Sequence, residues 1–152
     1  MANTHDRLWL DPDQQRIWRA FLGGVSVIDC HLDAALRPYG LDLGEYEILV
    51  VLSESDDQQL RMSELAEAVH QSRSRLTHTV ARMEKKDLIR RTSCADDKRG
   101  VIAVLTPKGF GLLETAAPVH VQSVRDCFVD VVSPRDFEAL GRAMRAVIEV
   151  AD

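Results

Sequence analysis

Two short apolar patterns at helical spacing stand almost end to end in the middle of the chain, and they restrict its fold more than any other feature. Leu65, Ala66 and Val69 share one face of the first, and Leu76, Val80 and Met83 share one face of the second. Recurrence at three and four residues is the mark of an amphipathic helix. Ser63, with Glu64 and Glu67 behind it, is placed to cap the first helix, and Ser72 or Ser74 to cap the second. A hydroxyl there accepts from amides that a helix start leaves unpaired. Two helices joined by a turn of three to four residues form a helix-turn-helix unit.

The residues after the second helix give the unit a wing. Leu88 to Thr92 and Val101 to Leu105 read as strands, and the polar SCADDKRG between them closes on Gly100. This predicts a hairpin with a long charged tip, Val101, Ala103 and Leu105 sharing its packed face. The second helix directs Arg75, His78, Arg82 and Lys85 outward, a face suited to a major groove. Ser72, Ser74 and Thr77, near its start, offer hydroxyls and backbone N–H groups to phosphates. Lys98 and Arg99 at the tip lie within reach of the adjacent minor groove. Arg73 and Arg91 belong to the same basic set. Between residues 70 and 99 the chain carries nine Lys/Arg against four acids, although its formal net charge is −5. A basic stripe in an otherwise acidic chain fits nucleic acid better than an ordinary solvated face.

The flanks are helical. From residue 11 to 36, Ile17, Phe21, Val25, Ile28, Leu32 and Leu36 fall on one face, started by Asp-Pro-Asp and ended near Pro38. A short buried helix with Leu43, Tyr46, Leu49, Val50 and Leu52 comes next, then a polar loop from Ser53 to Gln59. Beyond Pro107 the chain is helical again, with Pro118 expected to kink or divide it. Ser133-Pro134 opens a last helix striped with Phe137, Leu140, Met144, Val147 and Ile148. These long terminal helices have no obvious partner for their apolar faces within one chain, which predicts dimerisation through both chain ends.

Other classes find less support. The acidic start MANTHDRLWLDPDQQ lacks the basic and apolar segments of a signal peptide, and no stretch has the length of a membrane span, so a cytoplasmic location is expected. Cys30, Cys94 and Cys127 include no C-x-x-C pair, and the five histidines form no i, i+4 pair, so neither a disulfide framework nor a metal site is expected. A phosphate loop, a G-x-S-x-G and an H-E-x-x-H are all missing, which argues against an enzyme and for no cofactor. A helical module that binds an acidic protein through the basic helix is the rival reading.

The segment SELAEAVHQSRSRLTHTVARMEKKDLIRRTSCADDKRGVIAVLT resembles the DNA-binding core of the multiple-antibiotic-resistance regulator (MarR) family. Asp97-Lys98-Arg99 and Leu105-Thr106 match that family's wing signature. The resemblance implies a mainly α fold of about six helices with a small β-hairpin wing. The winged lobe would span residues 42–106, and residues 11–37 and 107–152 would dimerise. It further implies a homodimer that binds a pseudo-palindromic operator and usually represses, with Arg99 in the minor groove, Asp97 holding it, and Thr77 and His78 at phosphate- and base-reading positions. Asp87 stands where the family commonly has glycine, and aspartate tolerates the left-handed cap required there. A crevice beside the first helix would take a small phenolic or anionic effector, with Trp18, Arg19, His31 and Tyr46 as candidates. Cys30 would sense oxidants if its thiol were activated, but Asp29 and Asp33 beside it favour packing as a small hydrophobe.

Overall fold

The structure is a computed structural model that describes residues 9–93 and 100–150. Six helices and three strands run in the order α1 (Pro12–Leu36), α2 (Leu43–Glu54), β1 (Gln59–Arg61), α3 (Met62–Ala68), α4 (Arg73–Lys85), β2 (Ile89–Ser93), β3 (Val101–Leu105), α5 (Pro107–Val124) and α6 (Pro134–Glu149). They fall into two compact units. Leu32 to Ser123 form one, and the residues up to His31 together with those from Val124 onward form the other.

In the first of these units, local chemistry sets each helix start. Asp42 caps α2 in a reciprocal box, its Oδ1 accepting from the Glu45 N–H at 2.8 Å while Glu45 Oε2 accepts from the Asp42 N–H at 3.2 Å. Asp33, on α1, accepts from the Leu43 N–H at 3.2 Å. The turn between α1 and α2 depends on Gly40, whose φ of 69° lies in the left-handed region that a Cβ disfavours. Thr106 joins the wing to α5: its hydroxyl donates toward the carbonyls of Asp87 and Leu88 and accepts from the Gly109 N–H at 3.0 Å. Leu36, Ile48, Leu49, Leu52, Leu65, Leu76, Val80, Met83, Leu88 and Ile89 are buried together. Apolar burial at about 25 cal/mol per Å2 makes this core the main source of the lobe's stability.

Several expectations are corrected here. Residues 53–59 are no polar loop: α2 extends to Glu54, a 3-10 turn spans Asp56–Gln58, and β1 comes directly after it. β1 pairs antiparallel with β3, Leu60 opposite Ala103, so the wing is a three-stranded sheet in the order β1-β3-β2. The first helix of the helix-turn-helix begins at Met62, one residue before the expected Ser63 cap, and Glu64 Oε2 accepts from the Arg61 N–H instead. Val101 is exposed, leaving Ala103 and Leu105 to pack inward. Pro118 does not divide α5, which runs unbroken to Val124. It sits on an exposed side, where water can take the carbonyl that its missing N–H leaves. The break in α-helical bonding is a π-helical turn at Arg125–Val129.

In the other unit, Asp11 caps α1 by accepting from the Gln14 N–H at 2.8 Å, and Ser133 caps α6 by accepting from the Asp136 N–H at 3.2 Å. Phe128 and Phe137 meet with ring centroids 5.3 Å apart. Ile17, Trp18, Val25, Val131, Val147 and Ile148 are all exposed, the last two by more than 60%. Among the described residues no helix is long and apolar enough to cross a membrane.

Candidate nucleic-acid interface

The helix-turn-helix is closed by backbone bonds. The His70 N–H donates to the Glu67 carbonyl and the Gln71 N–H to that of Ala66, with His70 at φ 51°. Ser72 then caps α4, its Oγ accepting from the Arg75 N–H at 3.2 Å. Leu76, Val80 and Met83 are wholly buried, so the helix can present only its other side. Arg73, Ser74, Arg75, Thr77 and His78 are exposed there. The Thr77 hydroxyl donates to the Arg73 carbonyl at 2.8 Å, so it can donate to another acceptor only by rotating out of that bond. Asp87 adopts the left-handed conformation, φ 61°, at the end of α4.

The cations of the C-terminal half are arranged differently. Arg82 pairs with Asp42 at 2.7 Å and lies 3.5 Å from Glu45, while Lys86 binds Glu45 at 2.8 Å. Arg91 on β2 is held by Glu84 at 2.7 Å. Lys85 is exposed. The described basic residues therefore divide into an exposed set, Arg73 and Arg75 at the start of α4 with Lys85 and Arg90 further along, and a set, Arg82, Lys86 and Arg91, engaged with carboxylates of the lobe.

A cleft of about 360 Å3 with a mixed lining opens between the starts of α3 and α4 and the base of the wing, lined by Arg61, Met62, Ser63, Arg73, Thr77, Gly100 and Val101. Arg61 and Ser63 are additions that sequence reasoning missed. Arg61 lies outside the basic run and comes beside the wing only because β1 pairs it with Ile102. Asp97, Lys98, Arg99 and Cys94 lie outside the described residues.

On another side of the same unit, Leu32, Leu43, Tyr46, Glu47, Val50, Val51, Ala68, Val69, His70 and His120 line a cavity of about 480 Å3. The rings of Tyr46 and His120 approach to 4.2 Å. Burial raises the Tyr46 pKa and lowers that of His120, so the phenol stays protonated and the imidazole neutral at pH 7. The His120 Nδ1 is enclosed without a hydrogen-bond partner among the described residues. Of the four expected effector residues, Tyr46 lines this cavity. Trp18, Arg19 and His31 belong to the other unit, Trp18 stacking on Phe21 at 5.9 Å and Arg19 and His31 exposed. Cys30 is exposed as well, so within this chain it is not the packed thiol expected beside Asp29 and Asp33.

Known proteins share this architecture. The sequence model of the MarR family matches residues 39–100. AbsC, a MarR family transcriptional regulator from Streptomyces coelicolor, is 43% identical, with a TM-score of 0.88 over 94% of this chain and 97% of that one. The chain belongs to the MarR family. A second MarR family regulator of the same organism, Sco3205, crystallised in complex with DNA, is 41% identical with a TM-score of 0.89, covering 95% of this chain and 91% of that one. The HTH-type transcriptional regulator PecS of Dickeya dadantii is 32% identical over 107 residues, 69% of this chain and 64% of that protein. Within this MarR-family chain, α3 and α4 are thus the helix-turn-helix, and β1, β2 and β3 form the sheet of the wing.

Proposed function

We propose that the protein is a cytoplasmic transcription regulator, not an enzyme, that binds a pseudo-palindromic operator as a homodimer and represses. The observation that carries this reading is the exposed basic edge at the start of α4, with Arg73, Arg75 and His78 outward above a fully buried Leu76, Val80 and Met83. The exposed apolar residues of α1 and α6 support the dimer. Patches of that kind ordinarily mark an interface, and a two-fold contact would cover them in both copies. Two recognition helices so related would meet successive major grooves about 34 Å apart.

A salt titration on a duplex carrying an inverted repeat, with unlabelled competitor, tests the reading. Binding by phosphate neutralisation weakens steeply with salt, and a specific site survives competition. A helical module for acidic proteins would show no preference for the repeat. His78→Ala is expected to change sequence preference more than salt slope, and Arg99→Ala to weaken operator binding by about 1–3 kcal/mol without unfolding the protein. Wild-type affinity in the Arg99 variant would remove the wing from the interface.

The cavity beside Tyr46 and His120 is the candidate effector site. Its described lining contains no Lys or Arg to receive a carboxylate, and a neutral imidazole with an unpartnered Nδ1 suits a ligand that donates a hydrogen bond. Of the phenolic and anionic effectors expected, the geometry supports the uncharged phenol. Isothermal titration should show 4-ethylphenol binding more tightly than 4-ethylbenzoate, with the difference lost in His120→Phe. Tighter binding of the benzoate would refute the assignment.

A further inference from the structure

We propose that Glu84 and Arg91 are positioning residues that fix the wing to the recognition helix and so set how sharply the protein distinguishes its operator from other DNA. The inference rests on the DNA-binding reading above.

Glu84 stands in the last turn of α4 and Arg91 at the middle of β2. One carboxylate oxygen accepts from the Arg91 backbone N–H at 3.1 Å, and the other from Arg91 Nε and Nη2 at 2.9 and 2.7 Å. Among the described residues β2 is an edge strand, paired with β3 alone. The Arg91 amide is therefore a donor that the sheet leaves over, and Glu84 takes it. Holding the guanidinium fork and the main chain of the same residue fixes both the strand's distance from α4 and its rotation. The bond to the Arg91 side chain, then that to its main chain, holds the Glu84 carboxyl below the usual carboxylate range, so the charge is present at neutral pH.

Two features separate this clamp from a stability device. Both side chains remain about one-third exposed, 34% for Arg91 and 35% for Glu84, a setting in which ion pairs contribute little to folding. The two elements it joins are those proposed to contact DNA in different grooves. If α4 and the wing were free to shift against each other, each could still find DNA, but nothing would require both to match one sequence together. The guanidinium of Arg91, a candidate DNA contact by charge alone, is engaged by Glu84. Its influence on DNA would come through the place it gives the wing.

The test compares the affinity of the full-length protein for its operator and for a random duplex of equal length. Glu84→Gln releases a cation and removes an anion, so affinity for random DNA should rise several-fold while the operator preference falls about tenfold. Arg91→Met deletes the cation, so affinity for random DNA should not rise, yet operator preference should fall by a similar factor. A clamp important only for folding would weaken both affinities together and lower the melting temperature. Preference retained in both variants overturns the proposal, and so does a fall confined to Glu84→Gln, which would mean that the released arginine simply adds nonspecific attraction. A wild-type protein with no preference for any inverted repeat overturns the regulator reading itself, and this inference with it.

Discussion

Replacing Gly109 by alanine should lower the thermal midpoint of the protein by roughly 6–12 °C, on the order of 3 kcal/mol for a chain of this size. Two effects oppose each other. Alanine in a helix gains up to about 1 kcal/mol over glycine, and less in the first turn of α5, where Gly109 stands. Against this, a Cβ at position 109 would stand 2.2 Å from the Leu88 carbonyl oxygen and 2.9 Å from Leu105 Cδ1. The carbonyl cannot yield cheaply, because it accepts from the Thr106 N–H at 3.1 Å and from the Thr106 hydroxyl at 3.0 Å. Relieving the clash means pushing α5 away from the first residues of the wing. Gly111 supplies the control, since nothing lies within 4 Å of the Cβ position there. Gly111→Ala should be neutral or slightly stabilising. Calorimetry on both variants decides the matter, and a Gly109→Ala midpoint at or above the wild type would show that α5 is not seated on Leu88 as described.

Such contacts mark the boundary of what the sequence discloses. The long periodic helices α1, α4 and α6 were legible because many turns repeat one signal. The cap of α4 was narrowed to Ser72 or Ser74 because a helix start needs such a hydroxyl, and the left-handed Asp87 was legible only through the family's glycine at that position. β1 was not. Three residues carry no period, and Gln59–Arg61 is a strand only because β3 offers it an edge more than forty residues away in sequence. The same limit governed the basic stripe. Helical spacing places Arg82 on the outer face, but it does not say that Asp42 and Glu45 wait opposite it. By charge alone Arg91 is one more cation for DNA, yet Glu84 holds it. His120 drew notice only as an improbable metal ligand, since its place beside Tyr46 depends on how α5 lies on α2. Charge and periodicity thus point to the proposed interface, while which of its charges are paired depends on tertiary contacts.

Lys86→Met should cost about 2–3 kcal/mol, and Glu45→Gln about 1, although the two variants break the same ion pair. The asymmetry arises from which charge is left behind. Glu45 is only 2% exposed, and Lys86 Nζ donates to both of its carboxylate oxygens at 2.9 and 2.8 Å and to the Gly40 carbonyl at 2.9 Å. Removing the lysine strands a buried carboxylate with the Asp42 N–H and with Arg82 at 3.5 Å, partners that offset part of the loss and keep it below that of a fully orphaned charge. Removing the acid strands an ammonium whose side chain is 42% exposed, and water can solvate it. Glutamine can still accept from the Asp42 N–H, so the cap of α2 survives. Denaturant titrations of the two variants test the ordering, and equal losses would mean that water reaches the carboxylate. The same contact explains why an acid is tolerated inside this lobe. Apolar packing holds α4 against α2, and Lys86, bonded to Glu45 through its side chain and to Lys108 through its carbonyl at 2.8 Å, adds directional bonds that tie the end of α4 to α2 and α5.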